Sequence, residues 1–250
     1  QATLEMGTDA DAVKQAIIDA AAQGVKNFIL KGDYEALRLT TDNPFEGISV
    51  NMLDLSGVTN WPVADGLAEI PDKAFYKYAN IQEVILSEEV QVIGDNAFAQ
   101  CSGLKRIEAP GVQKVNYAAF QSCSHLEEVV MPEVVSMGRV CFSFTGLKKV
   151  YFPKLTTLEG NVFWFCSSLT EVNLPEAVKI GDANDGTESP RYGSSVFADC
   201  SNLQKVSLPK AVEIGERAFG GCTMLQEIDL PMAETLGAVS YTHLRAHETK

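Results

Sequence analysis

One phrase recurs along this chain at a spacing of 21 to 23 residues, interrupted once by a step of 34. It reads Leu-x-x-Val-x-Leu-Pro, then Ile-Gly-x-x-Ala-Phe, then Cys-x-x before the next Leu. The cleanest copy is Leu203-Gln204-Lys205-Val206-Ser207-Leu208-Pro209, with Ile214-Gly215, Ala218-Phe219 and a closing Cys222. Copies start at Ile81, Leu104, Leu126, Leu147, Leu169, Leu203 and Leu225. A unit this short cannot bury its apolar side alone and does so only against its neighbours. The pattern therefore predicts a solenoid, a shape that suggests a recognition surface before it suggests an active site.

Each part of the phrase has a mechanical role. Leu-x-x-Val-x-Leu alternates as a short strand with its apolar side inward. Pro110, Pro132, Pro153, Pro175, Pro209 and Pro231 follow the strands and end their ladders, because proline has no N–H to donate. Gly94, Gly138, Gly181 and Gly215 are expected to permit a sharp bend. Phe75, Phe98, Phe120, Phe142, Phe163, Phe197 and Phe219 fall in one column and predict an aromatic spine. Cys101, Cys123, Cys166, Cys200 and Cys222 each precede a repeat Leu by three residues. They read as buried thiols, with cross-repeat disulfides as the alternative, since stacked strands lie within bridging range.

The phrase resembles the bacterial BspA-like leucine-rich repeat over roughly residues 48–237. Some copies depart from it. Cys141 replaces the Ala before Phe142, Phe144 falls near the usual Cys position, and Asn116 stands where Gly is usual. The resemblance implies an α/β repeat solenoid, a right-handed leucine-rich-repeat superhelix that is β-rich with short helical turns. It implies secreted or cell-surface proteins of host-associated bacteria that bind proteins or surfaces, and no catalytic residues or cofactor.

Residues 1–47 lie outside the repeat and read as an α/β cap. Thr8-Asp9 can start a helix, Ala12, Val13, Ala16, Ile17 and Ala20 recur at helical spacing, and Gly24 stops it. Val25–Leu30 reads as a strand and Lys31-Gly32-Asp33 as a turn. The solenoid is expected over 48–237, with an irregular first repeat carrying an insertion near Trp61, which is expected to pack on the cap. Residues 238–250 lack the period. They read as sequence foreign to the repeat, or as a polar cap.

A net charge of −13 repels a phosphate backbone and argues against nucleic acid. No apolar run is long enough to span a membrane. The chain begins at Gln1 without a leader, as expected if a signal peptide has been removed or the sequence starts inside a longer protein. His125 sits at a variable turn position, and no Cys-x-x-Cys or other ligand set points to a metal. No enzyme activity is expected.

The strand face offers the candidate binding surface. One outward column reads Glu83, Arg106, Glu128, Lys149, Glu171, Lys205, Glu227, alternating in sign. It is either a self-neutralised register device or an electrostatic docking strip. The next column contains Val130 and Tyr151, an apolar pair able to anchor a partner. The insertion at 182–195 adds Arg191 and Tyr192. The expected function is non-catalytic protein binding or adhesion by a monomer, secreted or at the cell surface. A rigid spacer, or a carbohydrate-binding surface protein, is the alternative. The partner would be a protein, such as a host extracellular protein, or a surface glycan.

Overall fold

The computed structural model describes residues 1–181 and 195–237. The residues 182–194 of the insertion, including Arg191 and Tyr192, and the tail 238–250 lie outside the described residues.

The N-terminal segment forms β1 (Ala2–Glu5), α1 (Ala10–Ala22) and β2 (Asn27–Asp33), followed by a 3-10 turn at Tyr34–Leu37. Asp9 caps α1, its carboxylate accepting from the amides of Asp11 and Ala12 at 3.0 and 3.1 Å. β2 runs on through the expected turn because Gly32, at φ +118, keeps the ladder to the next strand. A Cβ on Gly32 would meet the Met6 carbonyl at 2.7 Å.

β3 (Val50–Thr59) follows, then the hairpin of β4 (Val63–Ala64) and β5 (Leu67–Ile70). Asp65 and Gly66 make its two-residue turn, both with positive φ as such hairpins demand. Trp61 before it is buried, 5.0 Å from the Tyr34 ring, and donates to the Val58 carbonyl. Trp61 thus packs on the N-terminal segment through Tyr34.

Each later coil contributes a longer and a shorter strand. The pairs are β6 (Ile81–Ile85) and β7 (Val92–Ile93), β8 (Arg106–Glu108) and β9 (Lys114–Val115), β10 (Glu128–Val130) and β11 (Ser136–Met137). Then come β12 (Lys149–Tyr151) and β13 (Thr157–Leu158), β14 (Glu171–Asn173) and β15 (Lys179–Ile180), β16 (Lys205–Ser207) and β17 (Glu213–Ile214), and β18 (Glu227–Asp229) and β19 (Thr235–Leu236). The short strands build one continuous sheet from β4 to β19. The long strands build two: β1-β2-β3-β6-β8-β10 and β12-β14-β16-β18. Pairing is parallel throughout, apart from the β4–β5 hairpin. The chain is a leucine-rich-repeat solenoid.

A third ladder runs through the turns. The amides of Asn96, Phe98 and Gln100 donate to the carbonyls of Tyr117, Ala119 and Gln121 in the next coil at 2.7–2.9 Å. Asn96 and Gln100 are left-handed, at φ 55 and 62, and so are their counterparts Ala118, Ser122, Val140 and Phe144. Alternating handedness aims every second amide along the stack, which satisfies backbone groups that a buried turn would otherwise strand.

The seven repeat phenylalanines stack as expected. Successive ring centroids lie 5.0–5.7 Å apart with planes within 12°. All seven are buried, each worth roughly 1.5–3 kcal/mol of burial. The six cysteines are free and buried. Cys101, Cys123, Cys166, Cys200 and Cys222 each donate Sγ–H to the carbonyl of the spine phenylalanine in the preceding coil at 2.9–3.2 Å. The column position in the fourth coil belongs to Thr145, which donates to the Phe142 carbonyl and contacts the Cys166 sulfur. Phe144 is therefore one place off the thiol column and points to the surface.

Candidate functional site

The outward column expected from the sequence forms in register. Glu83, Arg106 and Glu128 are aligned neighbours, as are Lys149, Glu171, Lys205 and Glu227. Arg106 binds Glu83 at 2.8 Å, Glu108 at 2.7 Å and Glu128 at 3.2 Å. Glu108 first, then the other two, raise its pKa. Lys149 pairs with Glu171 at 2.8 Å, and Lys205 with Glu227 at 3.1 Å. The lysine bond holds the Glu171 carboxyl below its ordinary range.

The two halves of this column do not join. β10 and β12 are unpaired, although β11 and β13 beside them remain paired. The cause is in the chain. Phe142 to Leu147 spans five positions, where Phe120 to Leu126 and Phe163 to Leu169 span six. The loop into β12 is one residue short and draws that strand off its neighbour. Phe152 adds bulk at the same joint, where other coils carry Ala109, Met131 or Leu174. Its buried ring lies 6.1 Å from Phe142 and 6.4 Å from Phe163.

Val130 on β10 and Tyr151 on β12 hold corresponding places on either side of this joint. Val130 is half-buried and Tyr151 is 61% exposed. Lys149, also exposed, leans toward Glu171 rather than across the gap. Of the expected surface residues, Arg106 and Glu128 lie on one side of the joint with Val130. Lys149, Tyr151 and Glu171 lie on the other.

A second feature escaped the sequence. Phe144, Trp164 and Phe165 meet on the turn-ladder side, with centroids 5.0, 5.3 and 6.1 Å apart. The indole N–H of Trp164 donates to Asp199 Oδ2 at 3.1 Å. Counting from the thiol column hid this cluster, because the missing residue displaces Phe144. The detectable signal was the pair of bulky residues, Phe144 and Phe165, two places after successive spine phenylalanines.

Elsewhere an open polar groove of about 370 Å³ lies between the N-terminal segment and the first coils, lined by Lys26, Asn51, Gln82, Lys105 and His125 among others. Its side chains already bond one another: Gln82 to Asn51, Lys105 to Gln82, and the His125 ring to the Ser102 carbonyl. Among the described residues no three His, Cys, Asp or Glu side chains gather as a metal site.

Six copies of the BspA type leucine-rich repeat region match residues 68–184 and 190–243. The chain belongs to this family. A leucine-rich repeat protein of T. pallidum is similar, 28% identical with a TM-score of 0.58 over 70% of this chain and 77% of that one. One from Bacteroides ovatus is 19% identical, with a TM-score of 0.36 over 96% of this chain and 75% of that one. No curated protein sequence matches the chain. The BspA type repeat accounts for the spine, the thiol column and the strand face. The joint at β12 and the aromatic cluster are departures within it.

Proposed function

We propose that this chain is a non-catalytic binding module of a secreted or surface-exposed bacterial protein, acting as a monomer, and that it takes a protein partner on its long-strand face. In this reading residues 1–47 cap the stack and 48–237 carry the surface. Membership of the leucine-rich-repeat family is consistent with a protein-interaction or surface role. No helix among the described residues is long and apolar enough to cross a membrane.

The observation that carries the reading is Tyr151 at the joint. It is 61% exposed on a strand whose neighbour on one side is missing and whose other side is fixed to β14. An aromatic ring with a polar tip on a rigid strand is a suitable anchor, and the paired charges around it form a polar rim. The test is a panel of immobilised extracellular matrix and serum proteins beside a glycan array. Tyr151→Ala with Lys149→Ala is expected to weaken capture of a protein hit by roughly tenfold or more, with little change in melting temperature. Capture that ignores both substitutions would remove this face from the function. A chain that captures nothing on the panel would be a spacer.

A further inference from the structure

We infer that the polar groove between the N-terminal segment and the first coils is a second binding site, and that it takes an acidic saccharide. It runs beside the starts of β2, β3, β6 and β8, apart from Tyr151 on β12.

Charge is the first observation. The chain carries −13 overall, yet the groove is lined by Lys26, Lys105 and His125 and by no carboxylate. Lys26 is exposed, and its ammonium has no partner among the described residues. Two acids stand next to the groove and are engaged elsewhere. Glu83 bonds Arg106 at 2.8 Å, and Glu127 bonds Lys148 at 2.6 Å. Lys148 chiefly, then His125 and Lys105, hold the Glu127 carboxyl below its ordinary range. A positive groove in an acidic molecule focuses anions where the rest of the surface repels them.

The second observation is the direction of the hydrogen bonds. Lys105 Nζ donates to Gln82 Oε1 at 3.2 Å, and Gln82 Nε2 donates to Asn51 Oδ1 at 3.3 Å. The run engages the amide oxygens and leaves hydrogens on the Asn51 amide and on both ammonium groups. Such donors hold a carboxylate or a sulfate through charge-assisted bonds. The His125 ring lies 2.6 Å from the Ser102 carbonyl. A carbonyl only accepts, so Nδ1 carries the hydrogen and Nε2 is left to accept from a hydroxyl.

The rest of the lining selects a sugar over a peptide. Among the described residues lining the groove, Ala79 carries the sole apolar side chain. Asn80, Ser49 and Ser102 add neutral polar groups suited to hydroxyls. A peptide's apolar side chains would find nothing to pack on. Gly103 keeps the floor low, since a Cβ there would meet the Ala79 carbonyl at 2.1 Å. Lys26, Asn51, Gln82 and Lys105 belong to successive strands of one sheet. At a strand spacing of about 4.8 Å the two lysines spread over roughly 14 Å, so each can meet an acidic group on a different ring.

The test is a calorimetric titration with four ligands of equal length: oligogalacturonate, a sulfated oligogalactan, an uncharged oligogalactan and oligoglutamate. At least one acidic saccharide is expected to bind. Galacturonate alone would make the ligand a uronate, and the sulfated chain alone a sulfate ester. The uncharged galactan and oligoglutamate are expected to bind roughly tenfold more weakly or not at all. Lys26→Gln and Lys105→Gln are each expected to weaken binding roughly tenfold. Lys26→Gln should not shift the melting temperature, because the ammonium holds nothing in the fold. Lys114→Gln, an equal change of charge on β9, is expected to leave binding intact, as is Tyr151→Ala with Lys149→Ala. Three results would each overturn the proposal: neither acidic saccharide binding, the uncharged galactan or oligoglutamate matching them, or Lys114→Gln weakening binding as much as Lys26→Gln.

Discussion

At the scale of the residue, the thiol column shows why a cysteine suits the interior of this stack. Cys123 is fully buried and donates to the Phe98 carbonyl at 3.0 Å. It fills space like a small apolar side chain and adds a second donor to a carbonyl that already accepts from the Cys101 amide at 3.1 Å. Cys123→Ala removes one of the two donors to that carbonyl and opens a small cavity, so urea unfolding is expected to show a loss of about 1–2 kcal/mol. The same burial makes the fold sensitive to alkali. Burial pushes the thiols of Cys123, Cys141 and Cys200 well up, and that of Cys222 up to about 12. An unfolded thiol ionises near pH 8.5, so above about that pH the unfolded chain releases protons that the folded chain keeps. The raised thiols therefore contribute fully below about pH 8.5, and their contribution is lost as pH climbs toward the folded values. Melting temperatures taken in reducing buffer from about pH 7.5 to about pH 10.5 should fall, and Cys222→Ala should fall less steeply.

At the scale of the element, the outward charges pair along the stack. Arg106 touches three carboxylates, two of them on flanking strands. Arg106→Ala leaves Glu83, Glu108 and Glu128 side by side and is expected to cost about 0.5–1 kcal/mol at low salt. Raising the salt to about 1 M should erase most of that difference in urea unfolding. Of the glycines expected to permit a bend, Gly181 is left-handed at φ 76, but Gly94 acts differently. Gly94 is not left-handed; its place is set by close approach, since a Cβ there would lie 2.7 Å from the Ile70 carbonyl and 2.8 Å from the Asp72 amide. Gly94→Ala should cost about 1–3 kcal/mol by calorimetry. These cases mark what a sequence can disclose. The Phe75-to-Phe219 spine and the charge ladder were legible, because a fixed period turns contacts between distant residues into a local pattern. β1 was not, since Ala2–Glu5 is defined by its pairing with β2 rather than by a period of its own. The Phe144 cluster was hidden by the single missing residue, which shifts the count. For the strand face, the period put Val130 and Tyr151 at corresponding places of successive coils, but gave no hint that the strands carrying them part.

At the scale of the molecule, that parting divides one side of a solenoid whose other sides stay whole. β10 and β12 are unpaired, yet β11 pairs with β13 and the turn amide of Phe144 donates to the Trp164 carbonyl at 2.9 Å. In a stack where each coil touches only its neighbours, stability is set by nearest-neighbour interfaces, and the weakest interface decides where opening begins. The joint lacks a strand ladder but keeps the spine contact between Phe142 and Phe163, 5.7 Å apart, the widest step in the stack. Native-state hydrogen exchange should therefore show the amides of β10 and β12 exchanging faster than those of β8 and β14. Restoring the missing position, by inserting one residue between Thr145 and Gly146, should slow exchange in β12 and raise the melting temperature. If Tyr151 anchors a partner, the partner bridges this joint from outside, and its binding should protect β10 and β12 more than any other strands. Exchange as slow in β10 and β12 as in β8 and β14 would show that the spine and the two remaining ladders carry the joint unaided. A partner's hold on Tyr151 would then have no opening to close.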